Sequence, residues 1–276
     1  EAEIIAKARC ATHLALAYDN QNRIWEAEEI LKCSLNELES KKAFLTDQYF
    51  EVISALHLHY MGIKSFKNAV YYATRSQSTY EALHVYDYRY INYLLFASAA
   101  LTGMEADQLA MRYAKSGLFQ ARELYETNQT KENEKLLLEA LVITSIVCGN
   151  RNVYENIKYT KEAINLYERL GETDDVKYKT IFDQLSTLYL YIGKYDKAYE
   201  IALKLKEEGK IKHTGFSFHD TAECLDEILT RHPEVEYVQL QLNYLDWEDG
   251  DVQKQMLYLY KLYADLRDTL DSVGAG

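Results

Sequence analysis

The chain has 276 residues, of which 48% are hydrophobic, and its formal net charge is −12 at pH 7. The apolar content supports a packed core, whereas the acidic charge argues against direct nucleic-acid binding, which needs a basic surface. No apolar run reaches the roughly 18 residues that a membrane span requires. Four cysteines without a CxxC pair favour reduced thiols over a disulfide framework or a zinc site. We therefore expect a cytoplasmic protein without a metal or a membrane-spanning segment.

Helix is the expected conformation of most of the chain, because its single proline is Pro233. The stretch STLYLYIGKYDKAYEIALKLK, residues 186–206, has the pattern of a helical hairpin. Tyr189 lies on the first predicted helix, and Gly193 can close the turn because glycine adopts a positive φ without a Cβ clash. Ala198 and Ala202 would let the second helix approach the first closely.

The same small–aromatic–small series recurs four more times before residue 186. The position that begins the close helix contact falls at Ala27, Ala69, Ala110, Ile157 and Ala198, in steps of 42, 41, 47 and 41 residues. This series resembles the tetratricopeptide repeat in a variant with long helices. The resemblance implies a mainly all-α fold in which helical hairpins stack into an α-α superhelix over residues 1–206.

The first helix of each hairpin is expected to line a concave groove, where phenols and amides can hold an extended peptide. Counting back from each turn gives the following ligand-binding candidates: Arg9, Thr12, Tyr49, His59, Tyr90, Tyr93, Thr180 and Asp183. Core packing is the competing interpretation for the many tyrosines, since a phenol fills space between helices and pairs its hydroxyl at the edge. His57 and His59, two positions apart on one helix, would point in nearly opposite directions and cannot easily share a metal.

The sequence pattern of paired helices is absent from residues 207–251. Residues 211–218 are prone to form a strand, Asp220 or Thr221 can cap a helix that ends before Pro233, and residues 237–242 alternate as a strand does. These elements predict a strand–helix–strand unit, which builds parallel sheets. Helical periodicity returns over residues 252–276, which we interpret as a capping helix and tail.

Two strings in this region, GFSFHDT and HPEVEYVQLQLNYLDWED, closely resemble the aldo/keto reductases over about residues 204–253. The resemblance implies two consecutive barrel strands, with Ser217 and Gln241 at the nicotinamide carboxamide of NADPH. Phe218 stands where many relatives have asparagine, and the family's catalytic tetrad lies on earlier strands that nothing before residue 207 resembles. We interpret the chain as a chimera, natural or constructed, with a barrel fragment in place of the next repeat.

The sequence is compatible with three functions. The helical part resembles sensor domains of bacterial intracellular peptide receptors of the Rap and PlcR type, which implies a non-catalytic scaffold that binds a peptide or protein segment and needs no cofactor. The second is an NADPH-binding relative of the aldo/keto reductases, and the third is a recombined fold without a natural ligand. A homodimer stays open under the first. The absence of a recognisable catalytic cluster favours the non-enzymatic scaffold.

Overall fold

The structure is a computed structural model that describes residues 2–173, 176–218 and 222–240, together with residues 257 and 261. Helix predominates in this part of the chain, and the strands are two short segments near residues 215 and 237. The predicted mainly all-α fold with a strand–helix–strand segment is therefore confirmed. None of the described helices is long and apolar enough to cross a membrane.

Ten of the helices follow one another as antiparallel pairs. Their bounds are α1 Ala2–Asn20, α2 Ile24–Ser40, α3 Asp47–Gly62, α4 Phe66–Ala82, α5 Tyr88–Gly103, α6 Asp107–Thr127, α7 Lys131–Cys148, α8 Val153–Leu170, α9 Val176–Tyr191 and α10 Tyr195–Glu207. The remaining elements are β1 Gly215–Phe218, α11 Ala222–Arg231 and β2 Tyr237–Leu240. The chain divides into two compact units, Glu1–Ile181 and Phe182–Gly276, and the boundary falls within α9.

Four of the five predicted hairpins close through a residue with a left-handed backbone two positions before the second helix. These residues are Asn22, Lys64, Glu105 and Gly193, with φ of 59°, 58°, 59° and 70°. Gly193 thus has the predicted turn conformation. Gly62 and Gly103, which belong to the predicted series, instead end α3 and α5, and the left-handed position falls two residues later. The turn is fixed by a backbone hydrogen bond such as Ser65 N–H to Tyr60 O at 2.8 Å, so a non-glycine residue can hold it.

A small residue three positions after the start of the second helix lies wholly inside the hairpin. Ala27, Ala69 and Ala110 are each 0% exposed. In α8 this position is Asn156 rather than the predicted Ile157, which is only partly buried. The prediction was one residue out because a polar residue was not expected there. Asn156 tolerates burial because its Nδ2 donates to Gly149 O at 2.8 Å.

The last hairpin, α9 with α10, packs as the spacing predicts. The Ser186 hydroxyl donates to Ala198 O at 3.5 Å, which places these two residues face to face across the hairpin. Ala198 is buried, as the close-contact position requires. Both residues belong to the second compact unit.

Residues 207–240 keep the predicted strands. β1 and β2 pair in parallel, with Ser217 opposite Gln239. Phe218, Leu225 and Ile228 form an apolar cluster with Tyr199 of α10, so the segment buries one face against a helix of its own unit. The predicted cap residues Asp220 and Thr221, together with Gln241, lie outside the described residues. So does the predicted capping helix over 252–276, apart from residues 257 and 261.

Gly62 and Gly103 end equivalent helices in different surroundings, which yields a matched pair of substitutions. A Cβ on Gly103 would lie 2.6 Å from the Phe66 ring, whereas nothing lies within 4 Å of a Cβ on Gly62. We expect Gly103→Ala to lower the free energy of unfolding by about 1–3 kcal/mol. Gly62→Ala should raise it by up to about 1 kcal/mol, because alanine loses less backbone entropy. Urea unfolding curves test both, and equal effects would contradict the packing described for Gly103.

Candidate ligand-binding cleft

A cleft of about 880 Å³ lies between α1 and α3, the first helices of the first two hairpins. We call it the α1–α3 cleft. On α1, its wall follows Arg9, Thr12, Leu16 and Asp19, spaced three or four residues apart along one helical face. The α3 wall also follows one helical face, with residues 3, 4, 7 and 11 positions after Glu51: Ser54, Ala55, Leu58 and Gly62. The cleft is thus a direct product of helical periodicity on two neighbouring helices.

Apolar side chains line the middle of the α1–α3 cleft. Leu16 is 60% exposed and Leu58 is 68% exposed, although both are large aliphatic residues. Ala55 and Phe50 of α3 add to this apolar lining. Exposed apolar side chains that converge in a concave site are the usual lining of ligand pockets.

Charged side chains stand at one end of the cleft. Arg9 and Glu51 line it from opposite helices. Among the described residues, neither side chain forms an ion pair or a side-chain hydrogen bond. The Thr12 hydroxyl beside them donates to Arg9 O at 2.8 Å, so it is partly satisfied by its own helix. This end can therefore accept both a donor and an acceptor group of a ligand.

A buried histidine lies further along the α3 wall of the cleft. His59 Nδ1 lies 2.8 Å from Asp19 Oδ1, which links α3 to α1. The His59 side chain is 0% exposed, whereas that of Asp19 is 29% exposed. His59 Nε2 has no hydrogen-bond partner among the described residues.

The structure brings three of the predicted ligand-binding residues, Arg9, Thr12 and His59, to this one cleft. Their role in binding stays a prediction. Two tyrosines from the same set of predicted ligand-binding residues are core residues. Tyr49 packs edge-to-face on Phe44, and Tyr93, 0% exposed, packs on Tyr80. Their rings support the first helices from behind and do not line the cleft.

The remaining three predicted residues lie elsewhere. Tyr90 is buried, donates its hydroxyl to Glu81 at 3.0 Å and borders a separate depression of about 520 Å³ between α4 and α6. Thr180 and Asp183 are exposed on α9 and are not among the residues that line the α1–α3 cleft. Core packing, the competing interpretation of the tyrosines, therefore describes Tyr90 as well as Tyr49 and Tyr93.

Sequence reasoning missed Leu16, Leu58 and Asp19. The available signal was their spacing from the predicted residues, since Leu16 follows Thr12 by four residues and Asp19 follows Leu16 by three. Leucines at this spacing are normally assigned to the core, and only their exposure shows otherwise. Within the described part of the chain, no group of three or more His, Cys, Asp or Glu side chains could hold a metal ion.

Ser217, the cofactor candidate under the reductase interpretation, is exposed on β1. Glu236, just before β2, accepts hydrogen bonds from Lys206 and from the Thr214 backbone N–H, and these contacts lower its pKa to about 2. Gln241, the second candidate, lies outside the described residues. Of the two residues inferred to contact the nicotinamide carboxamide, the structure therefore describes Ser217.

The stacked antiparallel helix pairs define a tetratricopeptide-like repeat protein, and solved structures of this class are similar to the chain. A putative kinesin light chain with TPR-like repeats from Podosopora anserina is 12% identical, with a TM-score of 0.59 over 75% of this chain and 98% of its own. A Rap protein complexed with Competence and Sporulation Factor is 20% identical, with a TM-score of 0.54 over 96% of this chain and 68% of its own. The Rap conjugation gene regulator of plasmid pLS20, in complex with the Phr* peptide, is 14% identical, with a TM-score of 0.50 over 91% of this chain and 61% of its own. At these identities the likeness establishes the fold.

The model of the aldo/keto reductase family matches residues 172–265, about a third of the chain. This range includes the predicted 204–253 and begins before the last helical pair. The same chain therefore carries a tetratricopeptide-like likeness and a partial reductase likeness, as the chimera interpretation requires. No curated protein sequence matches the chain.

His57 and His59 point to different neighbours, as their spacing predicts. His57 stacks on Phe96 of α5 at 4.5 Å, whereas His59 contacts Asp19 of α1. Burial lowers the pKa of His57 to about 4, because a charged imidazolium would lose its hydration. The unfolded chain, with a histidine pKa near 6.5, therefore takes up this proton first as the pH falls.

This pKa difference predicts a specific loss of stability in acid. The contribution of His57 is complete above about pH 6.5 and is lost as the pH falls from about 6.5 to about 4. We expect His57→Phe, which keeps an aromatic ring on Phe96, to remove on the order of 2–3 kcal/mol of the destabilisation between pH 7 and pH 4. Urea unfolding at these two pH values measures it, with the exposed His13→Gln as the control. Equal pH dependence of wild type and His57→Phe would contradict the assignment.

Proposed function

We propose that the chain is a non-catalytic scaffold that binds a short peptide segment in the α1–α3 cleft. The observation that carries this proposal is the cleft itself, with Leu16 and Leu58 exposed on facing walls. An apolar centre between polar ends fits a peptide, which offers apolar side chains along a polar backbone.

The distance between the charged residues of the α1 wall sets the size of the segment. Ten residues separate Arg9 from Asp19 on α1, which is about 15 Å at 1.5 Å per helical residue. An extended peptide advances about 3.3 Å per residue, so four or five residues span this distance. Arg9 and Glu51 would then meet one end of the segment, and Asp19, whose side chain is partly exposed, would meet the other.

The fold neighbours support the same class of function. The two Rap structures similar to this chain contain Competence and Sporulation Factor in one case and the Phr* peptide in the other. By this analogy the chain is the sensor part of a bacterial intracellular signalling or transcription regulator. The division into a repeat domain at 1–206, a reductase-like segment at 207–251 and a cap at 252–276 belongs to this proposal, as does a homodimer.

A peptide library tests the proposal directly. The probes are pentapeptides acetylated at the N-terminus, amidated at the C-terminus and randomised at each position. We expect a subset to bind the wild-type chain, and Leu16→Glu and Leu58→Glu to weaken that binding at least tenfold, because each buries an unpaired carboxylate under the peptide. Fluorescence anisotropy with labelled members of the subset gives the dissociation constants.

Leu14→Glu is the matched control, since Leu14 lies on the same helix, is 41% exposed and does not line the cleft. Its dissociation constants should stay within twofold of wild type. Binding that is insensitive to all three substitutions, or no binding by any pentapeptide, would rule out the cleft as a peptide site.

The reductase alternative rests on the family match at 172–265. A reductase-type barrel typically needs about 250 residues, far more than this match provides. Under the scaffold proposal, the fluorescence of NADPH is unchanged on adding the protein. A saturable shift that Ser217→Ala weakens would instead favour the NADPH-binding alternative. Leu83→Ala, an exposed position at the end of α4, serves as the control substitution.

A further inference from the structure

Asp19 carries an accessible negative charge at one end of the α1–α3 cleft. Its side chain lines the cleft and is 29% exposed. Asp19 Oδ1 contacts His59 Nδ1 at 2.8 Å, and among the described residues no lysine or arginine pairs with the carboxylate. A carboxylate has several acceptor positions, so the contact with His59 leaves capacity for a further donor.

The C-terminal ends of two helices lie beside Asp19. Its contact with His59 joins the last turn of α1 to the last turn of α3. Three residues at or just beyond these helix ends line the same cleft: Asn22, Gly62 and Ile63. Each helix C-terminus carries a partial negative charge of about half an elementary charge, because its last carbonyl groups point outward along the axis. This end of the cleft therefore favours a cation and disfavours an anion.

A positive charge stands at the opposite end of the cleft. Arg9 is exposed, lines the cleft and forms no ion pair among the described residues. A guanidinium is a strong partner for a carboxylate, because two parallel N–H groups can donate to its two oxygens. Glu51 lines this end from α3, so the end as a whole does not repel a second positive group of the ligand.

The charges on the α1 wall match the two termini of a short peptide. When extended, a peptide of four or five residues with free ends carries an ammonium and a carboxylate about 13–16 Å apart. Arg9 and Asp19 are about 15 Å apart along α1. In one orientation the ammonium meets Asp19 and the carboxylate meets Arg9. In the reverse orientation the carboxylate would meet Asp19 and two negative helix ends, which repel it.

We propose that the α1–α3 cleft recognises the free amino terminus of its peptide, with the α-ammonium group at Asp19 and the C-terminal carboxylate at Arg9. This inference rests on the peptide-binding proposal above. It gives the peptide a single direction along α1. It also defines the ligand as a short peptide with free ends, because an internal stretch of a longer protein has no terminus to place at Asp19.

Four forms of one pentapeptide test the proposal. The sequence is the tightest binder from the blocked library above, and the forms combine a free or acetylated amino terminus with a free or amidated carboxyl terminus. Each unlabelled form displaces the labelled parent in a competition anisotropy experiment. We expect a free amino terminus to tighten binding to the wild-type chain about tenfold at pH 7. A free carboxyl terminus should tighten it about three- to tenfold, and Arg9→Gln should remove that second gain.

Two neutral substitutions at opposite ends of the cleft decide where the ammonium lies. Asp19→Asn removes the charge, but its side-chain oxygen can still accept from His59 Nδ1, so the link between the helices is kept. In this variant the gain from the free amino terminus should fall below about twofold. Glu51→Gln is the matched control, because it removes an equal charge at the Arg9 end, and it should keep a gain of at least about fivefold. The melting temperature of each variant confirms that it is folded.

The pH dependence identifies the group that carries the positive charge. A peptide α-amino group has a pKa of about 7.7–8.0. We expect the gain from the free amino terminus to fall below about twofold at pH 9.5, where this amine is largely neutral. The acetylated form is the reference at each pH, so changes in the protein itself cancel.

The outcomes separate the two proposals. Equal affinities of the free and acetylated forms, together with lost binding by Leu16→Glu, overturn recognition of the terminus and leave the peptide site standing. A gain that survives Asp19→Asn but is lost in Glu51→Gln also overturns it, because the peptide would then lie in the opposite direction. If no pentapeptide binds the wild-type chain, both proposals fail.

Discussion

Close contact between the two helices of each hairpin is the constraint on which the rest of the structure depends. Ala27, Ala69 and Ala110 occupy the same place in three second helices, and none exposes any surface. A larger side chain there would push the helices apart, because protein interiors pack at crystal-like density. With the spacing within hairpins fixed, successive hairpins stack in register, and α1 and α3 become neighbours. The α1–α3 cleft is the space that this stacking leaves between two first helices.

The cleft differs from the core in how its polar groups are satisfied. Core hydroxyls such as that of Tyr80, which donates to Phe44 O at 2.9 Å, pair with groups of the chain itself. In the cleft, by contrast, the side chains of Arg9 and Glu51 form no ion pair or hydrogen bond among the described residues, and two leucines remain exposed. The exposed leucines keep apolar surface in contact with water, which is unfavourable in the free protein. A ligand that covers them and pairs with Arg9 or Glu51 would gain free energy from both contacts, so these features together support binding more strongly than either does alone.

The second unit shows how a short piece of barrel-like sequence can persist without a barrel. Two parallel strands and one crossover helix leave an apolar face that must be covered. Phe218, Leu225 and Ile228 supply that face, and Tyr199 of α10 packs against it. A helix that belongs to a tetratricopeptide-like pair thus performs the covering that neighbouring strands and helices provide in a barrel. This arrangement is consistent with a chimeric origin, and it makes no use of Ser217, which remains exposed.

The sequence by itself determined the helical hairpins and the strand–helix–strand segment, because these depend on local periodicity, glycine and proline. It did not determine which side of a first helix meets the core. Tyr49 and Tyr93 were expected at the groove and lie buried, whereas Leu16 and Leu58 resemble core residues and line the cleft. Helical spacing groups residues on one face but does not say what that face contacts, since aromatic and aliphatic side chains suit a core or a pocket equally well. The stacking of one hairpin on the next made that choice, and with it decided where the cleft lies.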